Sequence, residues 1–141
     1  MDNETKGDDI RIVDHTADWA LRLRGRDLKE LFARAAEGMA YLLAGDTSAV
    51  SRDLARDLTL EAYDAEELLV IFLGELAYWA ERDGLVFPSV DLREVTPNRL
   101  VGTVSGGRPP EIQKHIKAVT YHDLEVRQTE AGLEVTVVFD V

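Results

Sequence analysis

Cysteine is absent from this 141-residue chain. Disulfides and thiolate-bound metals, such as zinc ribbons and fingers, are therefore excluded, because both need the sulfur. Long apolar runs are absent too. No stretch approaches the roughly 20 apolar residues needed to cross a bilayer, so no membrane partner is expected. Residues 1–9 are polar and acidic and lack the basic-then-apolar order of a secretory signal, which predicts a flexible tail and a cytoplasmic protein. Basic residues are scarce: 16 Lys and Arg stand against 27 Asp and Glu, for a net charge of −11. Nucleic-acid affinity comes largely from Lys and Arg displacing counterions from phosphates, so tight direct binding to RNA or DNA is disfavoured. The same charge speeds association with basic surfaces, which makes a nucleic-acid-binding protein a better expected partner than nucleic acid itself.

What remains is globular in composition, with 45% hydrophobic and 30% charged residues. The length suits one domain, spanning residues 10–141 after the tail. Residues 14–25 carry the most information. They open with ligand-capable side chains and then alternate, so Trp19, Leu21 and Leu23 are predicted on one strand face and Ala20, Arg22 and Arg24 on the other. Asp18 falls where a loop becomes that strand, held by backbone pairing yet open to solvent.

Two helices follow from their caps and stripes. Asp27 with Glu30, and Asp64 with Glu67, form capping boxes. Leu28, Leu31, Phe32, Ala35, Met39, Leu42 and Leu43 make one apolar stripe ending at Gly45; Leu68, Leu69, Phe72, Leu73, Leu76, Trp79 and Ala80 make the second, ending at Gly84. Gly74 interrupts the second helix at a cost of about 1 kcal/mol, which a close backbone neighbour would explain. Strands are expected at 10–13, 58–62, 85–87, 90–95, 100–104, 117–121, 124–128 and 134–140, with a loop at 105–110. Helices set among consecutive strands define an α+β single domain, with two helices packed on one face of a mostly antiparallel β-sheet.

Val141 follows the last strand, so its α-carboxylate would be held at a strand end. If that strand lies beside the one opened by Asp18, then Asp18, Asp140 and Val141 converge as hard oxygen donors. Such a set suits Ca²⁺, with Mg²⁺ or Mn²⁺ as alternatives. No Gly-x-Ser-x-Gly elbow or phosphate cradle accompanies these carboxylates, so no nucleophile or nucleotide site is expected. His15, Lys117 and His122 read as structural hydrogen-bonding groups before site residues, and His115 as loop surface. Arg22 and Arg24 read as a solvated strand face.

His15-Thr16-Ala17-Asp18, then Ile116-Lys117-Ala118-Val119-Thr120-Tyr121-His122, then Val137-Val138-Phe139-Asp140-Val141 together resemble the archease family across residues 14–141. Three positions depart from its pattern: Trp19 and Ala20 replace a small aliphatic residue and a glycine after the aspartate, and Asp14 stands where Glu is common. The resemblance implies a non-catalytic activator of the RNA-splicing ligase that joins 2′,3′-cyclic phosphate and 5′-hydroxyl ends. It further implies promotion of ligase guanylylation, repeated turnover in tRNA splicing or RNA repair, and a metal held by Asp18, Asp140 and Val141. The rival expectation is a divalent-metal-dependent phosphohydrolase or nucleotidyl-transfer enzyme using the same carboxylates.

Overall fold

The computed structural model describes residues 4–5, 9–14 and 18–141. In chain order the elements are β1 (Glu4–Thr5), β2 (Ile10–Asp14), β3 (Asp18–Gly25), α1 (Leu28–Ala44), a 3-10 turn at Thr47–Ala49, β4 (Leu54–Glu61), α2 (Ala65–Asp83), β5 (Val86–Thr96), β6 (Arg99–Gly107), β7 (Ala118–Thr120), β8 (Arg127–Thr129) and β9 (Gly132–Asp140). The domain is α+β, and its antiparallel strands divide between two sheets. The larger sheet runs β1-β2-β3-β9-β7, with β8 also paired to β9; the smaller runs β4-β6-β5. Both helices touch strands of both sheets and share one hydrophobic core with them. Of the expected tail, only residues 4–5 and 9 are described, and β1 pairs antiparallel with β2.

Both helices begin as their sequence predicts, with one shared variation. The Asp27 carboxylate accepts from the Glu30 amide at 2.9 Å, and Asp64 accepts from Glu67 at 2.8 Å. Each glutamate then reaches one residue further back than in a standard capping box, accepting from the amides of Arg26 and Tyr63. At the other ends Gly45 and Gly84 take positive φ values of 73° and 68°, which glycine adopts without strain, and Gly84 forms a left-handed cap. Between caps, the stripes are buried except for the half-buried Leu28, and Phe32 of α1 stacks on Phe72 of α2 with ring centroids 5.9 Å apart. That contact joins the two helices at the centre of the core.

Four expectations change. The two segments 85–87 and 90–95 are one strand, β5, with register shifts after Val86 and Leu92. Pro88 lies in the first irregularity on an edge strand, where a missing amide leaves no ladder partner short. Residues 105–107, expected in a loop, extend β6; a Cβ on Gly106 would collide with the Val86 carbonyl oxygen, so glycine here permits close strand approach. In place of a strand over 124–128 there is a turn, in which the Leu124 amide donates to Tyr121 O at 3.1 Å and Asp123 adopts φ 51°, and β8 starts only at Arg127. The close backbone neighbour expected at Gly74 is also missing: among the described residues no heavy atom comes within 4 Å of a Cβ built there.

Candidate functional site

Strand β9 is paired on both sides, with β3 along one edge and with β7 and β8 along the other. Its inward side chains Val135, Val137 and Phe139 are fully buried against the helices, which fixes Thr136, Val138 and Asp140 on the opposite, outer face. The same logic orients β3. Leu21 and Leu23 are buried in the core and Trp19 packs against it, so Asp18, Ala20, Arg22 and Arg24 take the outer face. Ala20 is nonetheless wholly buried, because its one methyl group lies in the middle of the sheet between β2 and β9.

Register then brings the ends of the two strands together. Asp18 is the direct cross-strand partner of Asp140, the last pair of the β3–β9 ladder. Directly opposed residues have Cβ atoms about 5 Å apart, so both carboxylates occupy one small patch of the outer face. Asp18 is half-buried and Asp140 exposed, and neither side chain makes a hydrogen bond or ion pair to another described residue. Like charges placed directly opposite one another destabilise a sheet, and an oxygen-loving cation removes that repulsion. On the other side of β9, Asp140 faces Ala118, and the Lys117 amide donates to the Asp140 carbonyl at 2.7 Å. Val141 follows immediately, half-buried and packed on the core.

The sequence-predicted pair Asp18 and Asp140 is thus adjacent. Among the described residues no group of three or more His, Cys, Asp and Glu side chains is placed to hold a metal. A complete ligand set therefore needs a donor beyond the two side chains. Lys117 is exposed next to the pair through its backbone, whereas His122 lies in the turn beyond β7, its Nε2 3.3 Å from the Asp123 carboxylate. His115 is surface as expected, with Nδ1 2.9 Å from Glu81 Oε1. His15 lies outside the described residues. Trp19, one of the departures noted above, carries the Lys114 ammonium over its ring at 3.7 Å, a cation–π contact near the start of β3.

Sequence reasoning missed the groove beside this patch, between α2 and the segment leading into β7. The available signals were Gly74 inside a helix and Tyr78 on that helix's polar side.

The architecture defines an α+β domain whose outer sheet face ends in an opposed carboxylate pair. The Archease protein family (MTH1598/TM1083) model matches residues 11–141, and the chain belongs to the archease family. Protein archease of Methanosarcina acetivorans is 35% identical over 145 residues, covering 97% of this chain and 99% of that relative. Protein archease of Saccharolobus islandicus is 34% identical, covering 94% and 98%. Among solved structures, Methanobacterium thermoautotrophicum protein 1598 superposes with a TM-score of 0.74 at 28% identity, over 92% of this chain and 96% of that one. A Thermotoga maritima protein described as an archease, possible chaperone, shares the fold with a TM-score of 0.62 at 22% identity, over 92% and 94%. Among the described residues no helix is long and apolar enough to cross a membrane.

Proposed function

We propose that this chain is a cytoplasmic accessory factor, not itself an enzyme, that activates an RNA ligase joining 2′,3′-cyclic phosphate and 5′-hydroxyl ends in tRNA splicing or RNA repair. It promotes guanylylation of the ligase and so allows repeated turnover. The observation that carries this reading is the Asp18–Asp140 pair in a chain of the archease family, opposed in register and with no side-chain partner among the described residues. An acidity of −11 supports it, because an enzyme that holds RNA needs a basic cleft toward which such a surface is steered.

The two side chains fit a hard divalent cation, most naturally Ca²⁺, with Mg²⁺ or Mn²⁺ as alternatives; the terminal carboxylate of Val141 supplies the further donor. A bound cation would neutralise the pair and offer a Lewis-acidic point to oxygen ligands of the ligase or its nucleotide. The protein's own contribution is rigidity. Asp18 and Asp140 are fixed by ladder hydrogen bonds on both sides of β9, so their separation does not depend on a flexible loop.

The deciding assay is ligation by the cognate ligase, held well below the RNA concentration, with and without this protein. Many turnovers with wild type, and a single turnover with a well-folded Asp18→Ala variant, are expected. Hydrolysis of GTP or a phosphoester by this chain alone would replace the reading with the enzymatic one. Equal stimulation by Asp18→Ala would remove the carboxylate pair from the function.

A further inference from the structure

A groove of about 530 Å³ runs between α2 and the strand side of the domain, with Gly74, Ala77 and Tyr78 on the helix wall and Ile116, Ala118 and Val119 on the other. The paired His115 and Glu81 bridge the two walls. Three features distinguish it from an ordinary surface dent. Glycine in a helix interior costs about 1 kcal/mol relative to alanine, yet nothing packs within 4 Å of the place where a Gly74 side chain would begin. Among the described residues no contact accounts for that cost; the space itself is what glycine provides. Tyr78 stands at this wall 52% exposed.

The second feature is the edge of the large sheet. β7 ends the strand order and pairs only with β9, so the backbone groups on its outer edge have no strand partner among the described residues. Such an edge is a template for another extended chain. The third is charge. Within α2, Glu66, Glu67, Glu75, Glu81 and Asp83 stand against Arg82 alone; Asp83 is held by Arg82 and Arg56, Glu81 by His115, and Lys117 lines the opposite wall, so among the described residues Glu75, next to Gly74 in the chain, is the acid here without a partner. An extended strand matches the edge, and positive charge on it matches the helix.

We infer that this groove receives an extended, basic segment of the partner protein, which adds as a strand to β7 and lays a side chain into the space over Gly74. The inference rests on the reading that the chain acts on a partner ligase, and it adds where that partner is gripped. Main-chain hydrogen bonds to residues 118–120 supply the register, while Ala77, Ile116 and Val119 supply the apolar floor. Because Ala118 is also the cross-strand neighbour of Asp140, the added strand would run alongside the carboxylate patch and orient it on the partner.

The test uses the full chain and the cognate RNA ligase. A Gly74→Leu variant improves helix propensity and its Cβ meets no heavy atom of the described residues within 4 Å, so it is expected to fold while its side chain enters the groove. Its affinity for the ligase, measured by calorimetry, is expected to fall about tenfold or more, a difference easily resolved on that scale. On wild type, hydrogen exchange at the amides of residues 118–120 should slow when ligase is added, a readout independent of any variant. Unchanged affinity for Gly74→Leu together with unprotected β7 amides would overturn the groove and leave the activator reading intact. Failure of wild type to bind the ligase at all would overturn both. Concentration-dependent self-association that Gly74→Leu abolishes would assign the edge to a second copy of this chain and refute the inference.

Discussion

Replacing Gly74 by alanine tests whether the space beside α2 is as open as its geometry states. The residue is interior to Ala65–Asp83 and its φ is not among the positive values, so alanine needs no backbone adjustment. A Cβ built there meets no heavy atom of the described residues within 4 Å, so no steric cost offsets the change. The expected gain is then the helix-propensity difference, about 0.8–1.0 kcal/mol. For a domain of this size that corresponds to a rise in Tm of about 4 °C. Urea unfolding followed by far-ultraviolet circular dichroism measures it directly: the midpoint should move up with the slope unchanged. A lower midpoint would mean that some part of the chain approaches Gly74 after all. Glycine would then serve a packing contact and not the groove, and no guest would be expected there.

Three further outcomes follow from the packing. Gly106→Ala drives a methyl group into the Val86 carbonyl and to within 2.7 Å of Phe87 Cα, and should destabilise by about 2 kcal/mol in thermal unfolding, in the range of overpacked cores. Phe72→Ala removes a fully buried ring from its stack on Phe32 and should cost about 3–5 kcal/mol in urea unfolding; a loss near zero would show the helix interface to be loosely packed. Asp83 is held at a pKa of about 2 by hydrogen bonds from Arg82 and then Arg56, below the ordinary carboxylate value of 3.8. A depressed carboxylate stabilises the fold above its ordinary value and loses that contribution as pH falls through about 2. Wild type should therefore exceed Asp83→Asn in Tm at neutral pH, and the gap should close in strong acid; a gap that widens on acidification would reverse the assignment.

Much of this molecule is legible in the chain because its local signals agree with one another. Asp27 and Asp64 announce helix starts, Gly45 and Gly84 announce the stops, and the stripes between them match the buried faces. The alternation through Trp19, Leu21 and Leu23 gives the inward face of β3, and the alternation through Val135, Val137 and Phe139 gives that of β9. What periodicity does not contain is pairing. That Asp18 lies opposite Asp140 depends on which strands are neighbours, a property of the whole sheet; the family motifs pointed to it, while spacing alone left it open. Glycine was the other blind spot. Gly74 suggested a tight contact where there is open space, and Gly106 sat in what read as a loop where there is a tight contact. The same residue type answers opposite needs, and only the neighbours decide which.

The position of β9 has a consequence for how the domain assembles. Arg24 and Glu134, joined across β3 and β9, are 110 positions apart in the chain, and β9 lies between β3 and the β7–β8 edge. During synthesis, β2 and β3 therefore emerge long before the strand that completes them. They wait with an open, apolar-backed edge, the kind that invites pairing with other nascent chains. Closing the sheet also means closing a long loop, which favours slow folding over fast. The carboxylate pair forms in that same closing event, so an Asp18–Asp140 site exists only on molecules whose large sheet is finished.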